Sequence, residues 1–431
     1  MQSPIRIELM PGVFLTTVQT RKFKSSYWSI RLLTPLSEET AAMNAVLPRV
    51  LRRGTASCPD QEQLAAALDE MYGGAVEPLV GKRGEVHCFG FVASFLDDAL
   101  VPDETPLLDD AANLLGDLLL RPATHNGRLK SDYVDSEREN LISEIKSQIN
   151  DKRTYAQILM TEAMCDQESF RLNRLGNLEQ AQKINVGRLN SHYQEVLSTA
   201  RIEVYYCGSA GSEQVEQAWR EALMGLPRYQ VQPLPETTLC MPTEVRHVTE
   251  HLDVTQGKLV MGFRTGTDLT SSHYPALMVA NAIFGGTSNS KLFLNVRERL
   301  SLCYYVNSSL DKFKGLMVVQ AGAEFDQMEQ VRGEIMAQLE LVKNGAFTEE
   351  ELQAAKSALV RTYRGELDVP SQLEDFWFGQ NLAGLQFAPD VLAALVEDVD
   401  AQQVVEVADA IQLDTVYYLM GSELERRKQS E

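Results

Sequence analysis

Two stretches of the chain repeat one pattern of apolar and polar positions. An apolar run at Trp28–Leu33 reads as a buried strand, and a helical pattern follows with apolar residues at 43, 46, 47, 50 and 51, ending at Gly54-Thr55. Leu259–Arg264 reads as a second such strand, again leading through a helix to Gly286-Thr287. From Thr34 to Thr55 is 21 residues and from Thr265 to Thr287 is 22. Another strand follows each time, EVHCFGFVASF after Gly84 and LMVVQAGAEF after Gly315, 30 and 29 residues past Gly54 and Gly286. Both end in a Phe, Phe95 and Phe325, before an acidic turn and a helix. Such self-similarity predicts two matched α+β domains, each with a sheet on one side and helices on the other.

Between and after these strands the helical period takes over. Leu107–Leu120 is amphipathic, Tyr133–Met160 reads as one long charged helix or two in sequence, and helices follow at 181–200 and 212–225 with the strand Ile202–Cys207 between them. Leu226–Thr243 carries four prolines, which fix φ and remove ladder donors, so it is expected to be a linker between domains 1–225 and 244–431. In the second half, Phe325–Leu341, Thr348–Glu366, Ser371–Leu385 and Asp400–Ala410 read as helices and Thr415–Met420 as a closing strand. Thr348 and Glu351 have the spacing of a capping box.

The segment 284–304, FGGTSNSKLFLNVRERLSLCY, joins a Gly-Gly pair to an amphipathic stretch (Leu292, Phe293, Val296, Leu300) and then to a strand expected at Leu302–Val306. Arg297 and Tyr304 stand seven apart across this corner. On spacing alone it is a helix-to-strand corner with a surface Arg and a half-buried Tyr.

Composition narrows the class. The 431 residues exceed one ordinary core, 44% are apolar and 23% charged, and the net charge is −20. That charge argues against nucleic acid and anionic membrane surfaces as partners. The N-terminus lacks a basic region followed by an apolar core, and no apolar run reaches the length of a span. The six cysteines have no CxxC spacing, which fits reduced thiols in the cytoplasm.

The corner motif is similar to that of the pitrilysin-type inverzincin peptidases, the family of insulin-degrading enzyme and the mitochondrial processing peptidases. Gly285, Gly286, Ser290, Leu292, Phe293, Arg297, Leu302 and Tyr304 all fit it, and Thr287 stands where a third glycine is usual. The resemblance covers nearly the whole chain and implies two tandem domains forming half a clamshell. It also implies a substrate-binding set of Arg297, Tyr304, Gly285 and Gly286, in which Arg297 and Tyr304 hold the substrate backbone.

The family's H-x-x-E-H would fall on the helix before Arg53-Gly54-Thr55, and the positions hold Ala45, Pro48 and Arg49. Neither Ala nor Pro ligates a metal and Arg is permanently cationic, so no zinc is expected in this chain. Pro48 removes a helical hydrogen bond and is expected to kink that helix. Glu137 and Glu144 match the family's E-x6-E, and Glu144, without histidine partners, is read as a solvated or salt-bridged carboxylate. A literal H-x-x-E-H occurs at His247, Glu250 and His251, but its surroundings resemble the strand that opens the second domain, which would leave both histidines exposed. His87, His125, His192 and His273 are isolated and read as structural.

The resemblance therefore implies a non-catalytic subunit of a bacterial two-subunit peptidase. Its partner would be a homologous zinc-bearing subunit, or a second copy of itself, and its substrate an unfolded peptide. The alternative is a scaffold without a role in proteolysis, accessory to a protein-modification pathway.

Overall fold

A computed structural model describes residues 4–102 and 106–422. Alternating strand patterns build two sheets. The first has six strands in the order β1-β2-β8-β3-β5-β4: Ile5–Met10 (β1), Val13–Gln19 (β2), Ser25–Pro35 (β3), Ala75–Arg83 (β4), Val86–Leu96 (β5) and Arg201–Gly208 (β8). A two-residue hairpin, Thr124–His125 (β6) and Arg128–Leu129 (β7), stands apart from it. The second sheet has five strands in the order β11-β12-β10-β13-β9: Arg246–Leu252 (β9), Gly257–Arg264 (β10), Tyr305–Asp311 (β11), Leu316–Ala323 (β12) and Gln412–Gly421 (β13). Both are mostly antiparallel, with one parallel pair each, β2–β8 and β9–β13. The α+β class read from the repeat holds.

The first sheet packs Trp28, Ile30 and Leu32 of β3 against Val46, Leu47 and Val50 of the helix Ala41–Leu51 (α1), in a core shared with Gln61–Glu70 (α2) and Leu108–Leu120 (α3). Successive side chains of a strand face opposite ways, so Ser29 and Arg31 point to the other side. There they meet Glu374, on the helix Pro370–Leu382.

This contact changes the domain division. The chain forms two compact units, one of residues 1–147, 172–236 and 370–378, the other of 148–171, 237–369 and 379–431. A single cut between 1–225 and 244–431 does not separate them: each half of the sequence lends a segment to the other's unit. The reason is apolar packing. The charged stretch Tyr133–Met160 resolves into two helices, Ser131–Ser147 (α4) and Lys152–Met164 (α5), because Asp151 caps the second by accepting from the N–H groups of Arg153 and Thr154. Helix α5 then lays Ala156, Met160 and Met164 against Val260, Tyr417 and Leu419 of the second sheet. Gly262 makes room for it, since a Cβ there would lie 2.5 Å from the Met164 sulfur.

The capping box at Thr348 and Glu351 forms as the sequence predicts. Strands β1, β2 and β4, helix α2 and the helix Pro389–Glu397 escape the pattern reading. No disulfide joins any of the six cysteines, and no helix among the described residues is long and apolar enough to cross a membrane.

Candidate functional site

Helix α1 carries the positions where the zinc motif would stand, and it runs through Pro48 without ending. Ala45 is 1% exposed and belongs to the core. One turn apart, Arg49 and Arg53 face α4, where Glu137 and Glu144 share one face as their spacing requires. Arg49 Nη2 donates to Glu144 Oε2 at 2.6 Å, and Arg53 Nη1 to Glu137 Oε1 at 2.9 Å. Asn140 donates to the second Glu137 oxygen, and the Arg53 guanidinium lies over the Tyr133 ring. These four charges line a cleft of about 630 Å³ together with Arg52, Arg174 and Glu77. Two fixed cations thus neutralise the carboxylates that would otherwise face a metal. The residues present do not fit zinc, and among the described residues no three His, Cys, Asp or Glu gather in a group able to hold a metal.

Behind α1, buried Asn44 joins two buried histidines. His192 Nε2 lies 2.6 Å from Asn44 Oδ1, Asn44 Nδ2 lies 3.1 Å from His87 Nδ1, and His87 Nε2 lies 2.9 Å from the Arg174 carbonyl. Burial pulls both imidazoles down to about 4, so both are neutral at pH 7.

The literal H-x-x-E-H lies on strand β9. Alternation turns His247 and His251 outward while Glu250 turns inward, accepting from Tyr417 at 2.5 Å and Tyr155 at 3.5 Å. Histidines four apart on a strand are about 13 Å apart, too far to share a metal.

The Gly-Gly corner departs from an ordinary α-helix. The backbone widens to five-residue turns over Ala282–Gly286 and Leu292–Arg299, and Leu300 N–H bonds to Asn295 O at 3.0 Å. Such wide turns are rare and cluster at functional sites. Gly285 and Gly286 serve close packing: a Cβ on either would lie 2.6 Å from a neighbour, Ser308 and Leu292 for the first and Asn281 for the second. Buried Lys291 ties the corner to the Glu351 carboxylate at 2.9 Å. Although burial alone would raise that carboxyl, the Thr348 N–H and Lys291 hold it below its usual value.

The strand expected at Leu302 begins instead at Tyr305. Leu302 N–H still bonds back to Val296 O, and Ser301 takes φ 51, a left-handed turn. Arg297 lies over the Phe293 ring, with Glu298 3.6 Å from its Nε. Tyr304 is 57% exposed and its hydroxyl donates to Glu324, which holds the phenol above its ordinary pKa. Sequence reading missed this acceptor, although it stands one residue before Phe325. Arg297 and Tyr304 thus both project from the corner, each already engaged by a neighbouring carboxylate.

The family model for the peptidase M16 inactive domain matches residues 183–359. A relative from Bacillus subtilis (strain 168), named probable inactive metalloprotease YmfF, is 33% identical over 418 residues, covering 96% of each chain. The chain belongs to the M16, pitrilysin-type, peptidase family. Among solved structures, a conserved protein from Enterococcus faecalis V583 superposes with a TM-score of 0.90 at 26% identity, covering 98% of this chain and 99% of that one. A peptidase M16 inactive domain from Pseudomonas fluorescens, at 14% identity, shares the fold with a TM-score of 0.79, covering 98% and 99%. This M16 chain is an inactive homologue, and Ala45, Pro48 and Arg49 are where its motif departs from the metal-binding pattern.

Proposed function

We propose that this M16 chain is the substrate-binding subunit of a two-chain cytoplasmic metallopeptidase. A homologous partner carries the intact H-x-x-E-H and its zinc, and the substrate is an unfolded peptide. One contrast carries the reading: ion pairs of Arg49 and Arg53 close the metal positions, while Arg297 and Tyr304 stay exposed on a wide-turn corner. The guanidinium is a fixed cationic donor, and the phenol, kept protonated beside Glu324, is a neutral one. Exchanging Glu324 for a peptide carbonyl would let Tyr304 donate to charge developing on that oxygen, while Arg297 holds the backbone.

Co-expression with an H-x-x-E-H homologue, sizing of the complex and a peptide-cleavage assay test this. The chain alone is expected to cleave no peptide, and the mixed complex to cleave. Tyr304→Phe should lower kcat by about 10²–10³, the usual cost of removing one preorganised donor. Arg297→Ala should also raise KM. Separate elution of the two chains overturns the pairing. Wild-type turnover by both variants in an assembled complex overturns the clamp and favours a scaffold.

A further inference from the structure

Within the second unit, strands β10, β12 and β11 align Lys258, Gly322 and Tyr305 in one row. Gly322 is required there: a Cβ would lie 2.4 Å from the Tyr305 ring, so the ring lies flat over that backbone. Two cations converge on this ring. The Arg153 guanidinium sits 4.5 Å from its centroid and the Lys258 ammonium 5.7 Å.

Neither cation has a carboxylate bonded to it among the described residues. Arg153 donates from Nε to Gln320 Oε1 at 2.9 Å and from Nη2 to Asn307 Oδ1 at 2.6 Å, both neutral amides of the next row. Lys258 donates to Gln256 Oε1 at 2.5 Å. The neighbouring carboxylate, Asp151, is occupied by the Arg153 and Thr154 N–H groups and the Thr154 hydroxyl. Gln320 is itself held by Gln157, which fixes the guanidinium plane, and Nη1 has no hydrogen-bond acceptor among the described residues. In a chain of net charge −20, two cations converging on one ring, with neutral amides as their side-chain hydrogen-bond acceptors, form a local positive patch that an anion would complete.

We propose that Arg153 and Lys258, converging over Tyr305, form a carboxylate subsite that selects acidic residues of the bound peptide. This rests on the substrate-binding reading above, and the subsite adjoins that clamp in sequence, Tyr305 following Tyr304. The planar fork matches a carboxylate, the ammonium supplies a second donor, and the ring excludes water from one side.

The test is fluorescence anisotropy of the full-length chain with a Gly/Ser-rich peptide carrying a central Glu-Glu pair and with its Gln-Gln counterpart. The acidic peptide should bind about tenfold more tightly, and less so at high salt, as expected for charge-assisted bonds at a part-exposed site. Arg153→Gln with Lys258→Gln should abolish the preference. Arg153→Lys with Lys258→Arg, which keeps both charges, should retain part of it. Unchanged melting temperatures show that the variants fold. Equal wild-type affinity for both peptides overturns the subsite and leaves peptide binding standing. A preference that survives the double Gln variant overturns the assignment to these residues. No wild-type binding of either peptide overturns the substrate-binding reading, and the subsite with it.

Discussion

Each unit buries an arginine on an interior strand and pairs it with a carboxylate from the segment that the other half of the sequence contributes. In the first, Glu374 is the one carboxylate among the described residues bonded to Arg31, at 2.8 and 2.5 Å, with Ser29 donating to the same carboxylate and Phe378 stacked beneath the guanidinium. In the second, Arg264 meets both Glu168 and Asp414, at 2.6 and 2.9 Å, and fully buried Lys314 shares Glu168 at 2.6 Å. One cation depends on one anion in the first unit, whereas two of each share the charge in the second. A shared network tolerates the loss of a member better than an isolated pair does, because no remaining ion is left wholly uncompensated.

Acid should separate the units most strongly. The first contains His87 and His192, held neutral by burial with values of about 4 against an ordinary 6.5, whereas the three histidines of the second are exposed. The unfolded chain therefore binds more protons, so this stability is complete above 6.5 and is lost as pH falls toward 4. Two such groups give a slope of up to about 2.7 kcal/mol per pH unit in that window. Glu168, lowered by Arg264 and Lys314 against the opposing effect of its burial, supports the second unit until pH drops below 4.5. Hydrogen exchange followed peptide by peptide should show the first unit opening at the higher pH, and simultaneous opening would refute the ordering.

Glu374→Gln should destabilise the first unit by about 3–5 kcal/mol, since it strands the buried Arg31 charge. Denaturant titration measures this, and Arg31→Met in the same chain should recover much of the loss. Asp414→Asn should cost less, about 1–2 kcal/mol, because Glu168 still faces Arg264. Equal losses in the two single variants would remove the contrast between pair and network.

The repeat made both sheets legible because the interior strands Trp28–Leu33 and Leu259–Arg264 are buried throughout and each carries an unbroken apolar face, Trp28, Ile30 and Leu32 in one and Leu259, Met261 and Phe263 in the other. The edge strands of the first sheet, β1 and β4, were not, since Ile5–Met10 and Ala75–Arg83 are half-exposed and mix polar with apolar positions. The exchanged segments also escaped notice: α5 is amphipathic whichever sheet it covers, and nothing in its period names the partner. At the candidate site, residue types alone ruled out zinc at Ala45, Pro48 and Arg49. The pairing of Arg49 with Glu144 needed the fold, because 95 residues separate them. So did the wide-turn corner, whose apolar spacing over Leu292–Val296 is the same as that of an ordinary helix.

The exchange of segments has a consequence for how the chain behaves when cut. The proline-rich stretch 226–243 looks like a hinge at which the protein could be divided. A nick there would leave one fragment still carrying the helix that covers the other's sheet, and that other still carrying Glu374 for Arg31. Neither piece is a self-sufficient domain, and together they are complementary halves of a split protein. Residues 148–171 and 370–378 act as two interlocked clasps, so the peptide bond between the halves is not what keeps them together.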